Sequence, residues 1–195
     1  MSRQDELYAR LPIWAQHTSV SAFGVYWHWL RFGPGYSQFV CDYLSREFFA
    51  PQDWKIWQTK RLREVLTGAL SVPYYARTWT KSQKKAALSG QLSELPLLEK
   101  EPLRAAPRDF VRADLHPSHP LTFYTSGSTG TPIASIWTIS EYRDALALRE
   151  ARSARWAGVS FTQPRATFSG RMVVPDPNSK GPFHRFNIVE KQVYF

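Results

Sequence analysis

The stretch over residues 123–132 restricts the fold of this chain more than any other. Its sequence is Phe-Tyr-Thr-Ser-Gly-Ser-Thr-Gly-Thr-Pro, and it lies between two short, apolar, β-prone runs. Gly127 and Gly130 can adopt positive φ and so bring backbone N–H groups close to an anion. Hydroxyl donors surround them at Thr125, Ser126, Ser128, Thr129 and Thr131. The pattern predicts a loop between two strands that holds phosphate through dipoles rather than through a fixed charge.

Two other kinds of loop compete with this interpretation. The stretch is not a Walker loop, because no Gly, four residues, then Gly-Lys-Ser/Thr occurs in the chain, and it lacks the spacing of a dinucleotide-binding fingerprint. On composition alone an ordinary hairpin turn explains it equally well, since Ser, Gly and Thr are common turn residues. The order of the residues favours the phosphate loop.

That order, Tyr-Thr-Ser-Gly-Ser-Thr-Gly-x-Pro from Tyr124 to Pro132, resembles the nucleotide-phosphate loop of the adenylate-forming enzymes. This superfamily includes acyl-CoA synthetases, luciferases and the adenylation domains of peptide synthetases. Many members carry a lysine after the proline. Here Ile133 takes that place, which leaves the loop without a cation of its own.

Further segments resemble one branch of that superfamily, the phenylacetate-CoA ligases and the CapK-like proteins associated with capsular polysaccharide biosynthesis. They are a long basic helix, Val-Pro-Tyr-Tyr at 72–75, Leu-Pro-Leu-Leu-Glu-Lys at 95–100 and Gly-Arg at 170–171. This branch commonly lacks the lysine after the proline. The resemblance covers roughly residues 36–175. It implies an α/β fold, the N-terminal part of the large domain of an adenylate-forming enzyme.

The resemblance implies activation of a carboxylic acid, with an aryl acid as one candidate. The carboxylate attacks the α-phosphate of ATP to give an acyl-adenylate and pyrophosphate, and the acyl group then passes to CoA; the implied cofactors are ATP, Mg²⁺ and CoA. Arg171 is placed on the substrate side, although an arginine bound to core carbonyls would look the same. Carried over residue by residue, the resemblance implies that the β- and γ-phosphates are contacted by Thr125, Ser126, Gly127, Ser128, Thr129, Gly130 and Thr131.

Other parts of the family's machinery have no counterpart in this sequence. Family members carry an acidic Mg²⁺ motif, a ribose-binding aspartate and a catalytic lysine beyond their equivalent of residue 195. Asp144 and Glu150 lack the Tyr-Gly-x-x-Glu context and are expected on a helix surface. Residues 191–195 look like a strand without a closing turn. We therefore expect an incomplete fold that does not finish the reaction alone, so no catalytic residue is assigned and enzyme status stays open.

The alternative is a non-catalytic remnant that acts as a binding module through an aromatic N-terminal segment. Independently of this alternative, the partners considered for the chain are a missing C-terminal half and a second copy of the chain. A third candidate, a nucleic-acid binder, is suggested by the net charge of +9 and the pI near 9.8. However, basic pairs such as Lys60-Arg61 and Lys84-Lys85 are interleaved with acids, and a basic surface also suits ATP and CoA. No nucleic-acid partner is expected.

The compartment follows from cysteine usage and the lack of targeting signals. Cys41 is the single cysteine, which excludes an intrachain disulfide and indicates a reducing, cytoplasmic setting. No secretory signal or transmembrane segment is expected, and the histidines have no metal-binding spacing, so no metal site is predicted. Tyr26, Trp27 and Trp29 suit a membrane interface, but buried packing is the favoured outcome.

The sequence predicts three segments. Residues 1–35 form an irregular, aromatic-rich N-terminal segment, 36–120 a mostly helical region, and 121–195 an α/β portion that contains the loop. Two helices are expected early, over 36–49 and from Pro51, with these residues on their buried faces: Phe39, Val40, Tyr43, Leu44, Phe48, and then Trp54, Trp57, Leu62, Val65, Leu66, Ala69 and Leu70.

Short-range signals mark the elements that follow. A polar helix over 81–88 should end at Gly90, and a strand over 133–137 should follow the loop. Thr138 and Glu141 form a capping box for a helix that ends near Gly158. On its polar side Arg149, Arg152 and Arg155 are expected to face solvent, with a CoA or phosphate contact as the alternative. Further strands are expected over 164–168 and 191–195.

Overall fold

A computed structural model of the chain describes residues 7–115, 119–125, 132–168, 173–174 and 181–195. These residues form a mixed α/β structure in which helices predominate and the sheets are small. The chain divides into two compact units, one of Met1–Leu44 with Tyr142–Phe195 and the other of Ser45–Glu141. The predicted α/β class is confirmed at this level. The boundaries predicted at 35 and 120 follow composition and remain predictions.

Helices make up most of the described chain. The α-helices are α1 (Ile13–Phe32), α2 (Tyr36–Ser45), α3 (Pro51–Ala69), α4 (Pro73–Thr78), α5 (Lys81–Ser89), α6 (Lys100–Ala105) and α7 (Ile139–Arg149). Short 3₁₀ segments cover Arg46–Phe48, Leu92–Glu94 and Pro107–Phe110, and a π-helical turn, Glu150–Ala154, continues α7. The predicted helices from 36, 51 and 81 are confirmed.

The strands form two small sheets. β1 (Leu121–Tyr124) and β2 (Ala134–Trp137) pair antiparallel in the second unit. In the first unit β3 (Arg165–Thr167), β4 (Arg185–Asn187) and β5 (Gln192–Tyr194) are ordered β3-β5-β4. β5 is parallel to β3 and antiparallel to β4. The strands predicted around 133–137, 164–168 and 191–195 are confirmed.

The N-terminal segment is helical rather than irregular, so the prediction for residues 1–35 is wrong over Ile13–Phe32. A single glycine in a helix costs only about 1 kcal/mol, which tertiary packing overrides. Gly24 faces β4, and a Cβ there would overlap the side-chain amide of the buried Asn187. The glycine therefore allows α1 to approach β4 closely, a requirement set by a residue far along the chain.

The aromatic side chains of α1 do not all pack inside the chain. Tyr26 and Trp29 are 49% and 51% exposed, so the expectation of buried packing is wrong for both. Trp27 is half-buried, and the guanidinium of Arg31 lies over its ring, with Arg31 Cζ 5.0 Å from the ring centre. Among the described residues, no helix has the length and apolar character needed to cross a membrane.

The first unit encloses charged side chains alongside its apolar contacts. Arg143 donates to the carbonyl oxygens of Trp29 (2.8 Å), Leu30 (3.0 Å) and Pro34 (2.9 Å). These include carbonyls at the C-terminal end of α1, where helix backbone groups lack partners inside the helix. The buried guanidinium thus completes the hydrogen bonding of α1 from α7, which belongs mostly to the same unit.

A second buried charge, Glu190, joins α1 to the three-stranded sheet of the first unit. Its carboxylate lies 3.0 Å from Arg31 and 3.2 Å from Arg165. Its backbone N–H donates to Asn187 Oδ1 at 3.2 Å. A buried carboxylate needs this set of partners, because an unpaired charge away from water is strongly unfavourable.

Each unit has a separate apolar cluster. In the first, Tyr36 and Val40 of α2 pack with Ala147 of α7, flanked by Phe39, Tyr43 and Leu44. In the second, Leu66 of α3 packs with Ala87 of α5 and with Trp79, which lies just before α5. Leu62, Ala69 and Leu70 flank this cluster. The predicted buried faces are confirmed at these positions and wrong at Phe48 and Val65, which are exposed.

Candidate functional site

The predicted phosphate loop is bounded by a β-hairpin. Tyr124 of β1 pairs with Ala134 of β2, and Leu121 pairs with Trp137 at the other end. Thr125 and Pro132 are described at the two edges of the loop. The other site residues predicted from the sequence lie outside the described residues: Ser126, Gly127, Ser128, Thr129, Gly130, Thr131 and Arg171.

The base of the loop is closed by two hydrogen bonds between Thr125 and Ile133. The Thr125 N–H donates to the Ile133 carbonyl at 3.1 Å, and the Ile133 N–H donates to Thr125 Oγ1 at 3.0 Å. A threonine hydroxyl has one donor and two acceptor lone pairs. Because Oγ1 acts as an acceptor here, its O–H is still able to donate to a ligand oxygen. Thr125 can therefore hold the hairpin and contact a phosphate at once.

The hairpin is supported by contacts within its own unit. β2 contacts the 3₁₀ segment Pro107–Phe110, and the rings of Phe123 and Trp137 meet edge to face with centroids 6.0 Å apart. Directly after β2, the predicted capping box is confirmed: Glu141 N–H donates to Thr138 Oγ1 at 3.1 Å, and Thr138 N–H donates to the Glu141 carboxylate at 2.7 Å. The chain beyond the loop is thus fixed by local hydrogen bonds.

The arginines at the end of α7 and just after it make contacts within the first unit. Arg152 is half-buried and donates to the Tyr43 carbonyl at 2.9 Å, which corrects the expectation that it faces solvent. Arg155 pairs with Glu150 at 3.3 Å, and Arg149 lies over the ring of Phe161 at 5.5 Å. Arg149 and Arg155 are exposed, as predicted. No phosphate contact needs to be invoked to explain these arginines.

Glu150 lies inside the first unit rather than on a helix surface, which corrects its predicted position. It is 1% exposed, and its carboxylate accepts from the Phe161 N–H at 2.8 Å and pairs with Arg155. Asp144, also predicted on the surface, is half-buried and accepts from the Tyr43 hydroxyl at 2.9 Å. Both carboxylates have structural partners, which explains why neither belongs to a recognisable metal motif.

Tyr36 lies in the electrostatic field of Glu150. Its hydroxyl is buried and has no hydrogen-bond partner among the residues that the structure describes. Burial, with a smaller contribution from the negative charge of Glu150, raises the pKa of Tyr36 to about 12. Nothing in the sequence marks this pair, because the two residues come from different helices.

A groove along α3 is a feature that the sequence analysis did not identify. It has a volume of about 940 Å³ and lies wholly in the second unit. None of the hairpin residues lines it. The signal available in the sequence was a row of polar residues on α3, with Lys55, Thr59 and Arg63 four residues apart.

Comparisons of this chain with models of protein families, with curated proteins and with solved structures find no match. The family resemblance of the loop therefore remains a prediction from the sequence. Within the described ranges, no group of three or more His, Cys, Asp or Glu residues lies close enough to hold a metal ion. The described residues therefore do not fit a Mg²⁺ site.

Proposed function

We propose that this chain is the N-terminal portion of an adenylate-forming enzyme of the phenylacetate-CoA ligase or CapK-like branch, and that its hairpin loop binds the triphosphate of ATP. The single observation that carries the proposal is the pair of hydrogen bonds between Thr125 and Ile133. They close the base of the hairpin at the edges of the Ser- and Gly-rich sequence on which the resemblance rests. This arrangement supports a loop whose N–H and O–H groups converge on an anion.

The reaction proposed is attack of a substrate carboxylate on the α-phosphate of ATP, which yields an acyl-adenylate and releases pyrophosphate. In this step the residues of the loop bind and orient the β- and γ-phosphates, and their dipoles stabilise the charge that moves onto the departing pyrophosphate. Thr125 contributes its hydroxyl from the edge of the loop. No step is derived through Mg²⁺ or CoA; among the described residues no group of three or more His, Cys, Asp or Glu could hold the metal.

Binding of ATP, measured by isothermal titration calorimetry, tests the loop directly. The double variant Ser126→Ala/Thr129→Val removes two loop hydroxyls and should weaken ATP binding by about tenfold, the effect of losing hydrogen bonds to a charged group. Ser37→Ala/Ser153→Ala is the matched control, since it removes two exposed hydroxyls in the other unit. Equal ATP affinity of the loop variant and the control would refute the proposal.

A second candidate function, a non-catalytic interaction module, is favoured by the exposed aromatic residues of α1. Phe23, Tyr26 and Trp29 are all about half exposed, and Trp14 more so. Exposed apolar surface of this kind commonly marks an association surface. If α1 joins two copies of the chain, the wild type should sediment as a dimer and Phe23→Ser/Trp29→Gln as a monomer. A monomeric wild type at high concentration would exclude this self-association.

A further inference from the structure

The groove along α3 has a strongly basic, solvent-facing wall. Lys55, Thr59 and Arg63 follow one another at intervals of four residues, so they lie on one face of the helix, about 6 Å apart along its axis. Lys60 also lines the groove. The charged groups of Lys55, Lys60 and Arg63 form no hydrogen bond or ion pair with the part of the chain that the structure describes. These cations are available to a ligand.

The groove is also lined by Arg112, whose guanidinium is paired with a carboxylate. Arg112 donates to both oxygens of Asp114, through Nε at 3.0 Å and Nη2 at 2.5 Å. Ser71 anchors the same carboxylate at 2.9 Å, and its carbonyl accepts from the Ala113 N–H at 2.8 Å. Two parallel hydrogen bonds of this kind fix the plane of a guanidinium as well as its position.

One nitrogen of Arg112, Nη1, takes no part in its pairing with Asp114, which we call the clamp. Nη1 lies beside Gly68, where an added Cβ would be 3.1 Å away from it, so the glycine makes room for the guanidinium. Nη1 has no hydrogen bond to the described residues. Both Arg112 and Gly68 line the groove. The lining of the groove therefore includes a donor nitrogen of Arg112 in addition to the cations of α3.

The acidic residues of the groove do not cancel its charge. Asp114 is paired with Arg112, and Glu64 pairs with Arg61 at 3.3 Å. The unpaired charge of the groove is therefore positive. Its volume suits a small molecule. Among the residues that the structure describes, no aromatic side chain lines the groove, so this lining lacks the stacking platform on which single-stranded nucleic acids are usually bound.

We propose that this groove binds a small molecule with several phosphate groups, held by Lys55, Lys60 and Arg63 together with Nη1 of Arg112. None of the described hairpin residues lines the groove, and the proposal does not depend on the function proposed for the hairpin loop. Arginine and lysine together match such a ligand, because the arginine is directional and the lysines act as mobile point charges.

The test is calorimetric titration of the full chain with inorganic tripolyphosphate at low ionic strength. Lys55→Gln/Arg63→Gln should weaken binding by at least about tenfold, since two charge-assisted contacts are lost. The control Lys81→Gln/Lys85→Gln makes the same change in net charge at exposed positions of α5 and should change affinity less than about twofold. All four side chains are exposed, so both variants should fold. Equal weakening by the two variants, or no binding to the wild type, would overturn the proposal.

Asp114→Asn tests the clamp separately. General electrostatics predicts stronger tripolyphosphate binding after an acid is removed, whereas loss of the clamp on Arg112 predicts binding about three- to tenfold weaker. Stronger binding would overturn the role given to Arg112. The loop variant Ser126→Ala/Thr129→Val should leave the affinity of the groove for tripolyphosphate unchanged. The proposals for the loop and for the groove can therefore be rejected independently. Tighter binding of a single-stranded oligonucleotide than of tripolyphosphate would show a different ligand class and overturn the proposal.

Discussion

Thr125 and Ile133 exchange two hydrogen bonds across the base of the hairpin, at 3.0 and 3.1 Å. One uses only backbone atoms, and the other uses the threonine hydroxyl as an acceptor. The side chain that the family resemblance assigns to ATP is thereby also part of the frame of the loop. These two hydrogen bonds make the hairpin sensitive to the residue at position 125.

Replacement of Thr125 should loosen the hairpin locally. Thr125→Val removes the acceptor of the Ile133 N–H but keeps the shape of the side chain, whereas Thr125→Ser keeps the acceptor. A hydrogen bond of this kind contributes about 1 kcal/mol, so the Ile133 amide should exchange about fivefold faster in the valine variant. Hydrogen exchange measured by NMR checks this. Equal exchange rates in the valine and serine variants would show that the hydroxyl contributes nothing.

Tyr36 should make the stability of the protein depend on pH in the alkaline range. Its folded pKa is raised to about 12, so the folded state holds the proton more tightly than the unfolded state. Its contribution to stability is complete below pH 10 and falls as the pH rises from 10 to 12, by an amount of the order of 1 to 3 kcal/mol.

Tyr36→Phe isolates this contribution. The variant removes a buried hydroxyl that has no partner among the described residues, so its stability at pH 8 should equal or exceed that of the wild type. Urea unfolding at pH 8 and pH 11 gives the comparison. A wild type that loses no more stability than Tyr36→Phe between the two values would contradict the raised pKa.

Gly24→Ala should destabilise the first unit although alanine is the better helix former. The added Cβ would overlap the side chain of Asn187, and overpacking of this kind costs about 1 to 3 kcal/mol, more than the helix propensity gained. Thr18→Ala, at an exposed position of the same helix, is the control and should stay within about 0.5 kcal/mol of the wild type. If Gly24→Ala had the same melting temperature as the wild type, the close approach of α1 to β4 at this position would be contradicted.

The elements that were predictable from the sequence depend on residues close together in the chain. Thr138 with Glu141 and Thr80 with Gln83 cap their helices through partners three residues away, and Gly90 ends α5 with φ of 78°. Such signals act before tertiary structure forms, so they remain visible in the sequence.

The features that were missed depend on partners far apart in the chain. Arg143 meets Leu30 across 113 positions, and Gly24 is required by Asn187. Glu150 was expected on a helix surface, but it is buried, and its carboxylate accepts from the Phe161 N–H and pairs with Arg155. For the candidate site, the sequence located the two strands that flank the predicted loop, and the structure adds the hydrogen bonds between Thr125 and Ile133. The Arg112 clamp needs tertiary contacts and has no local signal.

The measurement that tests the central claim most directly is an NMR titration of the isotope-labelled chain with ATP, observing the amides of the loop and the ³¹P signals of the ligand. The account predicts shifts at residues 125–133, in addition to any at the groove along α3, and shifts of the β- and γ-phosphates, with AMP causing far smaller changes because it lacks those groups. Amide shifts that avoid residues 125–133, or equal shifts with AMP and ATP, would contradict a triphosphate-binding hairpin.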